Sequence, residues 1–295
     1  MLYSLTDEEV AKLRGTPVLP EFLSAELMLA TFKTDYQIAL EIVPRPLSPI
    51  REALATAFVA KYPETNFDCV YNEGALFIHC EYKGEKGLYC LSMPVDDDMA
   101  LIYGREQFGY PKKLADKITL NETTGSVVGS VVRKGTEILR IECQLAGEVE
   151  ETLMADLGVP TVDWDGVPCY SVIMFLFKHF RSPDGSGFDY LPRLIREPVL
   201  FRREGIVRQG SGSVIMTSTP WDPLGEVPVG EIVSMLYGKW HNTMLPGRAV
   251  ARTWNPLRFA KHAFFKMDAV PYFLERYDPS ASARAKEAWK AAKSF

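Results

Sequence analysis

Short β-like runs, rich in apolar and branched residues and separated by turn residues, occupy most of this chain; helical spacing is confined to a few segments. Near the start, Thr6-Asp-Glu-Glu-Val gives a capped, acid-rich first turn, so a short helix is expected from Leu5 to Leu13, with Pro17 and Pro20 ending it. The pattern then predicts a strand over Glu26 to Thr34 and a helix over Tyr36 to Val43, which Pro44 and Pro46 terminate. Strand-like runs follow at Phe67 to Tyr71, Leu76 to Tyr82, Gly87 to Val95, Ala100 to Gly104, Lys117 to Asn121, Thr124 to Lys134 and Thr136 to Ala146, with a hairpin turn at Lys134-Gly135. More come at Ser171 to Lys178, Leu191 to Phe201, Ile206 to Arg208 and Ser213 to Thr217. Helix returns at Val229 to Tyr237, after Pro228, and at Ser280 to Ser294, rich in Ala, Lys, Arg and Glu. Many short strands with few helices predict a mainly β (α+β) fold: an antiparallel sheet closed or folded on itself, with helices at its margins.

Composition narrows the class. The 295 residues are 47% hydrophobic and 24% charged, enough apolar material for a sizeable core, and no linker or charge run divides the chain, so one domain over residues 1–295 is expected. A formal net charge of −5 argues against a nucleic-acid surface, which draws affinity from clustered Lys and Arg. No apolar run is long enough to span a bilayer, and the acidic N-terminus lacks a secretory pattern, so a cytoplasmic protein is expected. Cys69, Cys80, Cys90, Cys143 and Cys169 are odd in number and widely spaced, which reads as reduced core residues. His79, His179, His241 and His262 are too scattered for one element to present two metal ligands, and no metal site is expected. No phosphate-cradling glycine loop or Gly-x-Ser-x-Gly elbow lies in a suitable context.

The most informative stretch is Tyr103-Gly-Arg-Glu-Gln-Phe-Gly-Tyr-Pro-Lys-Lys-Leu-Ala115. A lysine attacks carbonyls only as the neutral amine, which requires an apolar pocket or a neighbouring cation to disfavour the ammonium. Lys112 has aromatic and glycine neighbours before it and Lys113 after it. An anonymous Lys-Lys pair is ordinarily a solvated surface pair; this motif is not anonymous.

Gly104-Arg-Glu followed by Tyr110-Pro-Lys-Lys-Leu resembles the signature of the acetoacetate decarboxylase family. The likeness extends through Phe32-Lys-Thr-Asp35, Val43-Pro-Arg-Pro-Leu47, Tyr71-Asn-Glu73, Lys83-Gly-Glu-Lys-Gly-Leu-Tyr89, Trp221-Asp-Pro-Leu224 and Val227-Pro-Val-Gly-Glu-Ile-Val233, covering a core of about residues 25–250; the extension 251–295 lies outside it. The resemblance implies a closed β-barrel or cone with peripheral helices around an apolar pocket. It implies Lys112 as the imine-forming amine, Lys113 as its charged neighbour and Glu73 as the acid facing the pocket. It also implies a carbon–carbon lyase acting on a small keto acid, with no cofactor, and a homo-oligomer.

Two positions depart from the family pattern: its pocket arginine falls at Ala25 and its second pocket glutamate near Val59. An iminium is an electron sink for loss of carbon dioxide from a 3-oxo acid and equally for aldol addition and dehydration with pyruvate or another 2-oxo acid. Decarboxylation is therefore the first reading and aldolase–dehydratase chemistry the alternative, with a catalytically silent binding module third. Arg105 and Glu106 are candidates for holding a substrate carboxylate or each other. Gln107 is a candidate pocket donor, and Tyr237 a candidate phenolic proton donor for dehydration.

Overall fold

The computed structural model describes residues 3–15, 19–149, 154, 158–185, 187–268 and 279–292; Pro17 and Ser294, named above as bounds, lie outside them. In chain order the elements are α1 (Asp7–Gly15), β1 (Glu21–Lys33), α2 (Tyr36–Ile42), β2 (Ser48–Pro49), β3 (Leu54–Tyr62), β4 (Glu64–Thr65), β5 (Tyr71–Tyr82), β6 (Glu85–Val95), α3 (Asp98–Tyr103), β7 (Lys112–Leu114), β8 (Lys117–Thr123), β9 (Ser126–Arg133) and β10 (Thr136–Glu148). Then follow β11 (Val159–Val162), β12 (Pro168–Lys178), β13 (Arg193–Met216), β14 (Ile232–Met244), β15 (Arg248–Arg252), α4 (Pro256–Ala263) and α5 (Pro279–Ala292).

Seven strands close a barrel in the order β12, β6, β5, β3, β1, β14, β13 and back to β12. All neighbours are antiparallel except β12 and β6, which pair in parallel at Met174 with Leu88 and Phe175 with Tyr89. Full closure leaves the ring without an open edge. The long strand β13 serves two parts of one continuous sheet: its first half closes the barrel on β12, and its second half carries β10, β9 and β8 as a flap. The flap folds back onto the barrel wall at two glycines, where a Cβ on Gly74 would meet Val131 and one on Gly129 would meet Val59.

Successive residues of a strand point to opposite faces, and both faces are buried here. Leu27, Phe58, Phe77, Met93 and Trp240 fill the barrel interior. Met28, Val59, Ile118, Val131 and Ile141 fill a second core between the wall, the flap and the helices. Ala25 belongs to the inner core and Val59 to the outer one, so Val59 points away from the interior. All five cysteines are free and buried.

Three local expectations are corrected. Phe67 to Val70 is a turn and bend rather than strand; β5 starts at Tyr71. Ala100 to Gly104 is helical, because Asp97 caps α3 by accepting from the Ala100 N–H. Val229 to Tyr237 is not helix: from Ile232 it is β14, buried on both sides between the barrel interior and the outer core, and its apolar spacing therefore lacks strand alternation. The segments Ile206 to Arg208 and Ser213 to Thr217 join with Leu191 to Phe201 into the single strand β13, apart from its end residues.

Candidate active site

Strand β7 is three residues long and runs parallel to β6, with Lys112 beside Met93 and Lys113 beside Pro94. Alternation sends the two lysines to opposite faces. Lys112 enters the barrel interior, where its side chain is 6% exposed as a residue and its Nζ lies 2.8 Å from Oε2 of Glu73, itself 5% exposed. Glu73 comes from β5, two residues after Tyr71, so the same face presents both. The Lys112 ammonium also donates to the Tyr71 hydroxyl at 3.4 Å and lies 5.0 Å from the Tyr71 ring centre and 5.9 Å from that of Tyr110.

The turn before β7 shapes this arrangement. Residues Gly104–Phe108 form a single π turn, with Gly109 at φ 100° closing it through a bond to the Gly104 carbonyl. A Cβ at Gly104 would stand 2.7 Å from both Cδ and Cε of Lys112, so the lysine stem occupies the space that glycine leaves. The Arg105 guanidinium donates to the carbonyls of Lys112 and Lys266, tying the turn to β7 and to the chain beyond α4.

The cavity around Lys112 has a free volume of about 90 Å³ and walls that include Phe22, Phe58, Phe77, Met93, Val172 and Phe201. That space equals roughly three waters, which suits a substrate of few atoms. Its polar lining consists of Thr56, Tyr62, Tyr71, Glu73, Tyr103, Tyr110, Lys112 and Asn242, so Lys112 is the only cationic side chain among the described lining residues. Burial raises the phenols of Tyr62, Tyr71 and Tyr110 well above their ordinary range, and the Glu73 charge adds to this, so all three stay protonated donors. The Asn242 side-chain oxygen is buried without a hydrogen-bond partner among the described residues, leaving polar capacity in the cavity lining.

Lys113 takes no part in this lining. It sits outside the barrel wall, 2.8 Å from Asp222 and 3.6 Å from Asp268, and donates to the Trp221 carbonyl at 2.7 Å. Asp222 also accepts from Arg133 Nε at 2.7 Å, and Arg133 pairs with Asp268. Burial lowers the Lys113 pKa, while Asp222 and Asp268 oppose that shift. The charge expected beside the amine is thus neutralised by two carboxylates on the far face of β7.

The remaining sequence candidates are also placed apart from the amine. Glu106 and Gln107 are exposed on a surface groove next to α3, and the Gln107 carbonyl accepts from Lys178. Arg105 braces backbone rather than lining the cavity. Tyr237 lies on β14 and faces the outer core, its hydroxyl 3.4 Å from Glu26. Tyr71, Tyr103 and Asn242 were not assigned roles from the sequence. Tyr71 was accessible there, since a residue two positions from Glu73 in a strand shares its face; Asn242 was not, because the strand carrying it read as helix only as far as Tyr237.

Among the described residues no helix is long and apolar enough to cross a membrane. A model of the acetoacetate decarboxylase family matches residues 10–253. An acetoacetate decarboxylase of Burkholderia multivorans is 36% identical over 220 residues, covering 72% of this chain and 80% of that relative. Acetoacetate decarboxylase 1 of Mesorhizobium japonicum is 28% identical over 237 residues, covering 78% and 87%. Among solved structures, acetoacetate decarboxylase of Legionella pneumophila superposes with a TM-score of 0.70 at 20% identity over 81% of this chain and 89% of that one. The enduracididine biosynthesis enzyme MppR, complexed with pyruvate, superposes with a TM-score of 0.63 at 18% identity over 80% and 92%.

Proposed function

Because this chain belongs to the acetoacetate decarboxylase family, we propose that it is a carbon–carbon lyase that decarboxylates a small 3-oxo acid through an imine on Lys112. The observation that carries the reading is the buried Lys112–Glu73 pair, 2.8 Å apart in an apolar cavity. Glu73 is positioned to take a proton from the ammonium and release the amine as nucleophile. The amine adds to the 3-oxo carbon, Glu73 returns its proton to the carbinolamine hydroxyl so that water leaves, and the iminium forms beside the re-ionised Glu73, which stabilises its charge. The bond to the carboxylate then breaks, its electron pair flowing to the iminium nitrogen as carbon dioxide departs. Protonation of the resulting enamine carbon and hydrolysis return the ketone and the free lysine.

The lining favours this reaction over chemistry on a 2-oxo acid. An aldolase–dehydratase keeps the substrate carboxylate throughout, and a retained carboxylate in an apolar cavity calls for a cationic partner. The only lining cation among the described residues is engaged in forming the imine. A carboxylate that is to be expelled gains from weak binding, since its charge disappears as the bond breaks. The same reading treats residues 1–295 as one domain of a cytoplasmic homo-oligomer, whose oligomeric state light scattering on the purified protein tests.

The test of the function is the intact mass after borohydride treatment with acetoacetate or with pyruvate, using Lys112→Ala as control. A lysine-dependent adduct with acetoacetate, together with release of carbon dioxide, is expected. A trapped adduct with pyruvate alone overturns decarboxylation in favour of the alternative, and no adduct with either favours a binding module.

A further inference from the structure

Decarboxylation of a 3-oxo acid anion to a ketone and carbon dioxide consumes one proton per turnover, and the proton must be delivered to carbon inside a largely apolar cavity. Glu73 is paired with Lys112, so a second acid is needed. Glu197 of β13 is fully buried, at 0% exposure, and shares the inward face with Ile195, Val199 and Phe201. Neither of its carboxyl oxygens has a partner in ordinary hydrogen-bond geometry. An ionised carboxylate in that position would be costly. The titratable groups facing it are Tyr110 just before β7, Lys112 on β7, Cys90 on β6 and Tyr103 on α3. Tyr110 also lines the cavity, with the Lys112 Nζ 5.9 Å from its ring centre, and its hydroxyl interacts with the Glu197 carboxyl.

We propose that Glu197 is the proton reserve for the enamine, a positioning residue that acts through Tyr110, which delivers the proton that replaces carbon dioxide. The inference rests on the Lys112 imine. In the step, the Tyr110 O–H proton bonds to the enamine carbon as the nitrogen lone pair re-forms the iminium. The Glu197 O–H proton moves to the Tyr110 oxygen. Glu197 regains a proton from solvent when product leaves. Its state fits: burial pushes the carboxyl up to about 8, with Tyr110 and Lys112 only partly offsetting it.

The experiment follows deuterium entering acetone in D₂O, which is enamine formation and protonation run without decarboxylation, in parallel with borohydride trapping of acetone on Lys112. Glu197→Gln should trap acetone as the wild type does yet exchange about 100-fold more slowly, within the range for loss of a general acid. Wild-type exchange should rise as pH rises through about 8, because abstraction of a methyl proton from the iminium is the reverse of the donation and needs Glu197 ionised, and this limb should vanish in the variant. Glu197→Asp should restore part of the rate, and Tyr110→Phe supplies the same readout if Glu197→Gln does not accumulate folded. Wild-type exchange in Glu197→Gln with equal trapping overturns the role of Glu197 alone; failure of the wild type to trap acetone overturns the imine on which it rests.

Discussion

Replacing Glu73 by glutamine keeps the shape of the Lys112 partner and removes its ability to accept a proton. The buried ammonium then has the Tyr71 hydroxyl, at 3.4 Å, as its remaining oxygen partner. Turnover should fall by about 10²–10⁴, the usual contribution of a general base. Because the lysine itself is intact, prolonged borohydride trapping should still reach full occupancy at a slower rate. A stopped time course separates these, and wild-type trapping kinetics in Glu73→Gln would assign Glu73 to structure alone. At this scale the sequence was informative in a particular way. Lys112 and Glu73 were legible because a motif carried them, whereas Glu197 was hidden as one acid in the apolar run Leu191 to Phe201. Its spacing of two from Ile195 and Val199 was the available signal, but reading it required knowing which face was inward.

Among the elements, the π turn at Gly104–Phe108 governs where the amine stands. Gly104→Ala should leave the fold intact, since Gly104 has ordinary helical backbone angles and the atoms in the way belong to one long side chain. The added methyl would push Cδ and Cε of Lys112 aside, and a displacement of about 1 Å at a reacting group costs on the order of 10² in rate. The expected outcome is an unchanged melting temperature with imine trapping and turnover both reduced; unimpaired turnover would show that the lysine stem has slack. Two of the strands that the linear pattern does not show, β3 and β14, share one cause. β3, with sequence LATAFVAKY, is Ala-rich and buried on both faces, and β14 is buried on both faces as well, so neither displays the period of two that marks a half-exposed strand. Strands with one wetter face, such as β8 and β10, were found nearly in register. The placement of Lys113 was likewise beyond a linear reading, because its partner Asp222 lies 109 residues away.

For the whole molecule, burial of titratable groups sets the response to pH. His79, His179 and His262 are pushed down to about 4, 3 and 4 by burial, with nearby cations adding to this. Below about 6.5 the unfolded chain binds protons that these folded imidazoles refuse, so stability is lost as pH falls from about 6.5 toward 4. Glu197 acts in the opposite direction: its folded pKa of about 8 exceeds the unfolded value near 4.5, so the folded state holds the extra proton and stability declines as pH rises from about 4.5 to 8. Glu197→Gln should therefore remove a decline, and its melting temperature relative to wild type should climb between pH 5 and pH 8. Calorimetry at several pH values reads this directly; a constant difference would mean that Glu197 is charged in the folded protein. The barrel as a whole also explains why two identical neighbours have unlike fates. Strand β7 is three residues hung on β6 alone, so Lys112 and Lys113 are distinguished only by odd or even position. Deleting one residue between Gly109 and Lys112 would turn Lys113 toward Glu73, set Leu114 in the place beside Asp222 and leave Lys112 on the opposite face one position earlier. The identity of the reactive residue is thus a property of counting, held by the length of a short turn rather than by anything written in the lysine.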